Sequence, residues 1–195
     1  MRRNRAGVEM NDPMSVDLLA REYDQLKQEQ QARISHRDNL LYATLAVYGA
    51  AGLTALSGRP LAWLAAPLAA VVLGWTYVAN DAKVSAIGAY IRTELGPHLT
   101  DLSGSAQPVF GWETWHRAAD PHRRVRKVMW FGVDLTTYAA VPLGALTAYW
   151  STGPYAAPLV AVSIAEAAAV LVLAGQINAN ADLIPPAAWR RRHQL

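Results

Sequence analysis

Two carboxylates stand out among the residues that could do chemistry in this chain. Asp134 and Glu166 are the only charged side chains within four apolar stretches, Asn39–Leu56, Leu61–Val78, Val128–Trp150 and Pro158–Ile177. An ionisable group in such a stretch costs several kcal/mol unless it faces protein, water or a partner, so each is a functional candidate. Asp134 lies six residues into its stretch, about 9 Å of helix, and Glu166 eleven residues from the end of its own, about 16 Å. At those depths the two are not expected to form one ion pair. Thr137 and Tyr138 lie one turn from Asp134, and Ser163 one turn before Glu166, so each carboxylate has a local hydrogen-bond partner within reach. Three roles compete: interior residues that pin helices in register, passage of ions or protons, and pairing with charges on another protein.

Other chemistry is poorly supplied. The sequence has no GxxxxGK[ST], HExxH, GxSxG or glycine-rich dinucleotide motif, and no cysteine. His116, Asp120 and His122 are close in sequence, but Pro121 interrupts any shared helix face and the spacing is not that of a metal-ligand set. No cofactor, metal or enzymatic activity is expected. The basic run Arg123, Arg124, Arg126 and Lys127, with Trp112 and Trp115 before it and Arg190, Arg191 and Arg192 in the tail, suits anionic lipid headgroups. Nucleic acid is not expected as a partner, since these cations sit where membrane topology already requires them.

The elements that must position these residues follow from composition. The 195 residues are 52% hydrophobic and 17% charged, and the charge is swept out of the four stretches. Each is near the length of a membrane span. Seven Lys and Arg precede the first stretch and seven lie in 79–127, with three in the tail. Of the short turns, Ser57–Pro60 has Arg59 and Ser151–Ala157 has none. The positive-inside rule then places both termini and the long connection in the cytoplasm. The expected fold is all-α: four transmembrane helices arranged as two hairpins, with a small cytoplasmic helical layer. Its parts are a disordered N-terminus 1–13, an amphipathic helix 14–38, a first hairpin 39–78, a connection 79–127, a second hairpin 128–177 and a basic tail 178–195. The polar first 38 residues do not resemble a signal peptide, and Met10 and Met14 are alternative starts.

Within the cytoplasmic parts, Val16, Leu19, Tyr23 and Leu26 follow a helical spacing after Ser15, and Val84, Ile87, Ile91 and Leu95 form a second stripe that ends at Gly96-Pro97. The two stripes are natural partners. With no Gly or Pro between Ser15 and Tyr48, the first helix can run unbroken into the first span. Val109, Phe110, Trp112 and Trp115 belong either to the headgroup layer or to a plug on these stripes. Pro67 and Pro142 fall inside spans, where each frees a carbonyl. Small residues recur every four positions at Ala66, Ala70 and Gly74, at Ala140, Gly144 and Ala148, and at Ala161, Ala165 and Ala169, which allows close helix approach. Each half ends a span near an Asn, at Asn80 and Asn180, consistent with a weak parallel duplication.

The segment Leu73–Leu95, with its Asn-Asp pair, Ser-Ala-Ile-Gly and Tyr-Ile-Arg, followed by Gly111-Trp112-Glu113, resembles a group of small uncharacterised integral membrane proteins of high-GC Gram-positive bacteria. The likeness covers about a fifth of the chain and implies a four-span protein of a bacterial plasma membrane. The Arg-rich, Lys-poor composition agrees with such a source. The function expected is a non-enzymatic, homo-oligomeric membrane assembly acting as a pore or membrane effector. The competing expectation is a small proton- or cation-coupled carrier that uses Asp134 and Glu166.

Overall fold

A computed structural model of the protein describes residues 13–111 and 122–181. These residues are almost wholly helical and contain no strand. Helix α1, Pro13–Leu56, is the long unbroken helix that the absence of early Gly and Pro allows. It stops where Gly58 adopts φ +94°, a left-handed conformation that glycine takes without Cβ strain. Pro60 opens a 3₁₀ turn, Pro60–Leu64, that leads into α2, Ala65–Tyr90. A π turn, Ile91–Leu95, joins α2 to α3, Gly96–Ser103. Helix α4, Arg123–Leu135, passes through a second π turn, Thr136–Ala140, into α5, Val141–Thr152, and α6 is Ala157–Asn180.

Both π turns have the same local cause. Pro97 and Pro142 have no N–H, and the proline ring crowds the carbonyl four residues earlier. The helix widens by one residue instead of breaking. Thus the Gly96 N–H bonds the carbonyl of Ile91, and the Val141 N–H that of Thr136, each five residues back. Pro67 behaves differently from the expectation for a mid-span proline. The 3₁₀ turn delays the start of α2 until Ala65, so Pro67 occupies the first turn, where no N–H is needed.

Three helices are long and apolar enough to cross a membrane: Met14–Leu56, Pro60–Ser103 and Ala157–Asn180. The expected span Val128–Trp150 lies in continuous helix but is not among them. Asp134, Thr136, Thr137 and Tyr138 dilute its apolar character.

The chain divides into two compact units. The first comprises Met1–Ile34 and Lys83–Pro121. In it Val16, Leu19, Tyr23 and Leu26 pack on a buried core of Ile91, Leu95 and Leu99, joined by Ile87, Val109 and Phe110. Val84 enters through its backbone: its carbonyl accepts from Gln30 Nε2 at 3.1 Å, so Gln30 extends the seam by a hydrogen bond where the apolar stripe ends. Phe110 adopts φ +61° and lays its ring flat on Tyr23, centroids 3.7 Å apart. That backbone conformation costs a non-glycine residue about 1–3 kcal/mol, which burial of the stacked ring offsets. Val109 and Phe110 therefore form the plug. Trp112 and Trp115 lie outside the described residues, as do the N-terminus up to residue 12 and the tail from 182.

The second unit comprises Ser35–Ala82 and His122–Leu195. Tyr77, Tyr138, Leu173 and Ile177 form its core, with Leu40, Val78 and Phe131 against them. Gly74 lets its helices approach closely: a Cβ there would lie 2.6 Å from the Tyr138 ring and 2.7 Å from Leu173. The turn after α5 is built around Tyr149, whose backbone carbonyl accepts from the Gly153 N–H while its hydroxyl donates to the Pro154 carbonyl at 2.7 Å. Much of the outer surface of this unit is apolar, with Leu53, Leu56, Met129 and Leu171 all exposed.

Candidate functional site

Asp134 is not held by its own helix. Its Oδ1 accepts from the Tyr77 hydroxyl of α2 at 2.7 Å, so the partner is 57 residues away and not Thr137 or Tyr138. The Tyr77 ring in turn lies 5.8 Å from the Arg37 guanidinium, and Arg37 donates to Asp81 at 2.8 Å and to Asp38 at 3.4 Å. Trp130 offers a second ring to Arg37 at 5.9 Å. Burial works against the Arg37 charge, but Asp81, Asp38 and the Tyr77 hydroxyl outweigh it and raise the affinity of the guanidinium for its proton. Two carboxylates thus share one cation, and Asp134 makes no ion pair among the described residues.

The π turn beside Asp134 adds a backbone acceptor. The Thr137 carbonyl would ordinarily take the Val141 N–H, but that donor is spent on Thr136, and the next position is Pro142. The Tyr48 hydroxyl of α1 fills the gap, donating to the Thr137 carbonyl at 2.8 Å. Tyr138, wholly buried, stacks obliquely on Tyr77 with centroids 5.0 Å apart. Its buried hydroxyl lies beside the hydroxyl of Thr44 without a well-aligned hydrogen bond, and Thr44 itself donates to the Leu40 carbonyl at 2.7 Å. Three helical segments of one unit thus meet here: Tyr77 on Asp134, Tyr48 on the Thr137 carbonyl, and the Tyr138 ring on Tyr77.

Glu166 is separate from this cluster in its contacts. Ser163, the partner expected for it, donates to the Val160 carbonyl at 2.8 Å and accepts from Trp150 Nε1 at 2.9 Å. Glu166 Oε2 is buried with no hydrogen-bond partner. Of the lipid-contact candidates, Arg126 and Lys127 are exposed on α4. Arg123 and Arg124 belong to the same helix, and Trp112, Trp115, Arg190, Arg191 and Arg192 lie outside the described residues, with His116 and Asp120. Among the described residues no group of His, Asp and Glu has the clustering of a metal centre.

Sequence reasoning singled out Asp134 but missed Tyr77, Tyr48 and the Arg37–Asp81 pair. For the pair a signal existed. Arg37 and Asp81 stand at nearly equal distances from the turn Ser57–Pro60, so a hairpin brings opposite charges to one level. Nothing local marks Tyr77 as the donor to Asp134. No protein-family model matches the chain, and neither the curated proteins nor the solved structures contain a significant match.

Proposed function

We propose that this chain is a non-enzymatic integral membrane protein of four spans in two hairpins, acting as a homo-oligomeric assembly, a pore or membrane effector, in a bacterial plasma membrane. Both termini and the helical layer of Val16–Leu26 with Ile87–Phe110 are cytoplasmic, and the basic residues meet anionic lipid. The source is the group of small high-GC Gram-positive membrane proteins that Leu73–Leu95 resembles. The observation that carries the assembly is a difference between small-residue stripes. Ala66, Ala70 and Gly74 are buried within the chain, whereas Ala140, Gly144, Ala161 and Ala165 face outward. A Cβ on Gly144 would meet nothing within 4 Å. Small outward faces let a second copy approach closely in lipid, where dispersion and packing drive association.

The chain has no cysteine, so engineered thiols report cleanly. Gly144→Cys and Ala165→Cys in native membranes should form disulfide-linked dimers, while Leu171→Cys should not; equal yields from all three would defeat the assembly. For topology, Ser57→Cys and Ser151→Cys should react with an impermeant thiol reagent in intact cells and Ser103→Cys should not. Labelling at Ser103→Cys alone would invert the orientation.

A second reading, a small proton- or cation-coupled carrier, is favoured by Asp134 and Glu166, which make no ion pair among the described residues. Glu166→Gln keeps the shape of the side chain, so it should fold and assemble. On this reading it abolishes or reshapes flux in reconstituted vesicles. Silence of both wild type and variant across potentials and pH gradients would remove the carrier.

A further inference from the structure

Glu166 lies on the inward face of α6. Ser163 and Val170, three residues before and four after it, are buried, and Leu173 and Ile177 continue the same stripe. Glu166 itself is half-buried, and its Oε2 is enclosed with no hydrogen-bond donor. The neighbouring donors are already engaged. Ser163 donates to the Val160 carbonyl, and Trp150 Nε1 donates to Ser163. The Trp150–Ser163 contact sets the register of the α5–α6 hairpin, so Thr147 of α5 stands level with Glu166, and its hydroxyl donates to the Leu143 carbonyl at 2.9 Å. No counter-charge is supplied either. Neither α5 nor α6 contains Lys, Arg or His. The basic run on α4 ends at Lys127, about 30 Å of helix before Thr147. Past that run, the titratable groups of this unit on the segments packed against α6 are Tyr77 and Asp81 of α2, Asp134 of α4, Tyr138 of the π turn and Tyr149 of α5, and none is a cation. Arg37 of α1 is bonded to Asp81 and Asp38.

A carboxylate oxygen needs a donor or a cation beside it, and leaving one bare in an apolar interior is so costly that the group takes up a proton instead. A carboxylic acid has no such need: its carbonyl oxygen can lie unbonded at modest cost, while the proton sits on the other oxygen. Asp134 makes the contrast, since Tyr77 from another helix donates to it. We infer that Glu166 is a neutral carboxylic acid in the folded protein, a proton-binding site with Oε2 as the carbonyl oxygen and Oε1, the oxygen not enclosed, holding the exchangeable proton. Such a site deepens the carrier reading by naming the coupled ion as a proton, and rests on that reading for its biological use, but the proton on Glu166 can be observed without transport.

The test uses the purified full-length protein in lipid vesicles at neutral pH. The infrared difference between wild type and Glu166→Gln should contain the carbonyl band of a carboxylic acid, which a carboxylate lacks, and the difference between wild type and Asp134→Asn should not. Dicyclohexylcarbodiimide, an apolar reagent that attacks protonated carboxyls, should modify Glu166. The acid O–H adds across one C=N bond, the acyl group migrates to nitrogen, and the peptide gains the mass of one reagent with nothing lost. The adduct should be kept in Asp134→Asn and lost in Glu166→Gln. Peptide mapping of the wild-type adduct needs no variant, so it decides the matter should Glu166→Gln not fold. A Glu166→Gln difference spectrum with no acid band would overturn the site, and so would an adduct on Asp134 in place of Glu166. Proton uptake into the vesicles separates the two claims. An acid band from Glu166 without proton flux keeps the site and removes the carrier. Flux that survives in Glu166→Gln keeps the carrier and removes Glu166 as its proton site.

Discussion

The two units are built on opposite principles. In the unit of Val16–Leu26 and Ile87–Phe110, the buried apolar side chains are Ile91, Leu95 and Leu99, and the side-chain pairs Tyr90 with Glu22 and Arg33 with Glu29 lie outside. In the unit containing Asp134, the buried polar residues Thr44, Asn80, Thr137 and Ser163 all lie inside, while Leu53 at 74% and Leu56 at 79% exposure lie outside. The first arrangement is what water selects, because removing apolar surface from water is its main driving force. The second suits a lipid solvent, where apolar outer residues lose nothing and polar groups must find partners within the protein. The two π turns sharpen the contrast. Proline produces both, but the Ile91–Leu95 turn contributes buried apolar side chains, whereas the Thr136–Ala140 turn presents Thr137 and a carbonyl that needs a hydroxyl.

The largest effects should come from attacking the first core. Leu19→Asp or Ile87→Asp places a charge against it and should cost about 3 kcal/mol or more in chemical unfolding. Leu95→Ala should cost about 2–5 kcal/mol. Lys27→Ala removes a contact to Gln30 and an approach to the Tyr23 ring, and should cost under about 1 kcal/mol. Leu171→Ala, in the other unit, should cost no more than about 0.5 kcal/mol in detergent. A Leu171 penalty equal to that of Leu95 would mean that the two units bury apolar surface in the same way.

Next in size is close packing. Gly74→Ala should destabilise by about 1–3 kcal/mol through overlap with Tyr138 and Leu173. Gly132→Ala, where a Cβ meets nothing within 4 Å, should be neutral or slightly stabilising in the isolated protein. Loss of stability at Gly132 and none at Gly74 would reverse the assignment of inner and outer faces.

The proline logic predicts a coupling. Tyr48→Phe should cost about 1 kcal/mol by uncapping the Thr137 carbonyl. In a Pro142→Ala background the helix can supply its own N–H, and the same substitution should cost measurably less. Additive effects in the double-mutant cycle would show that the hydroxyl and the proline act independently.

The smallest effect concerns an exposed contact. The Tyr90 phenol donates to Glu22 at 2.9 Å, and that hydrogen bond to a carboxylate raises its proton affinity above the ordinary phenol value of 10.0. A raised folded value means the contact stabilises below pH 10 and loses its contribution as pH climbs through the raised value. The pair is exposed and screened by salt, so the change should be barely measurable. In the difference titration of wild type against Tyr90→Phe, the phenolate should form later than in the Glu22→Gln variant, and coincident curves would remove the contact.

By itself the sequence determined what depends on neighbours along the chain. The apolar stretches, the stripes Val16–Leu26 and Val84–Leu95, the long uninterrupted first helix and the punctuation by Gly58, Pro97 and Pro142 follow from composition, periodicity and backbone sterics, which act over a few residues. Only the tertiary structure decided the rest. Ser163 sits one turn from Glu166, yet its hydroxyl is taken by Trp150; Thr137 and Tyr138 sit one turn from Asp134, yet its donor is Tyr77. Pro67 and Pro142 look alike in sequence, but one falls in the first turn of a helix and the other opens a π turn. A buried polar atom takes whichever partner the packing of separate helices brings within 3 Å, and that choice depends on crossing geometry, which local spacing does not encode.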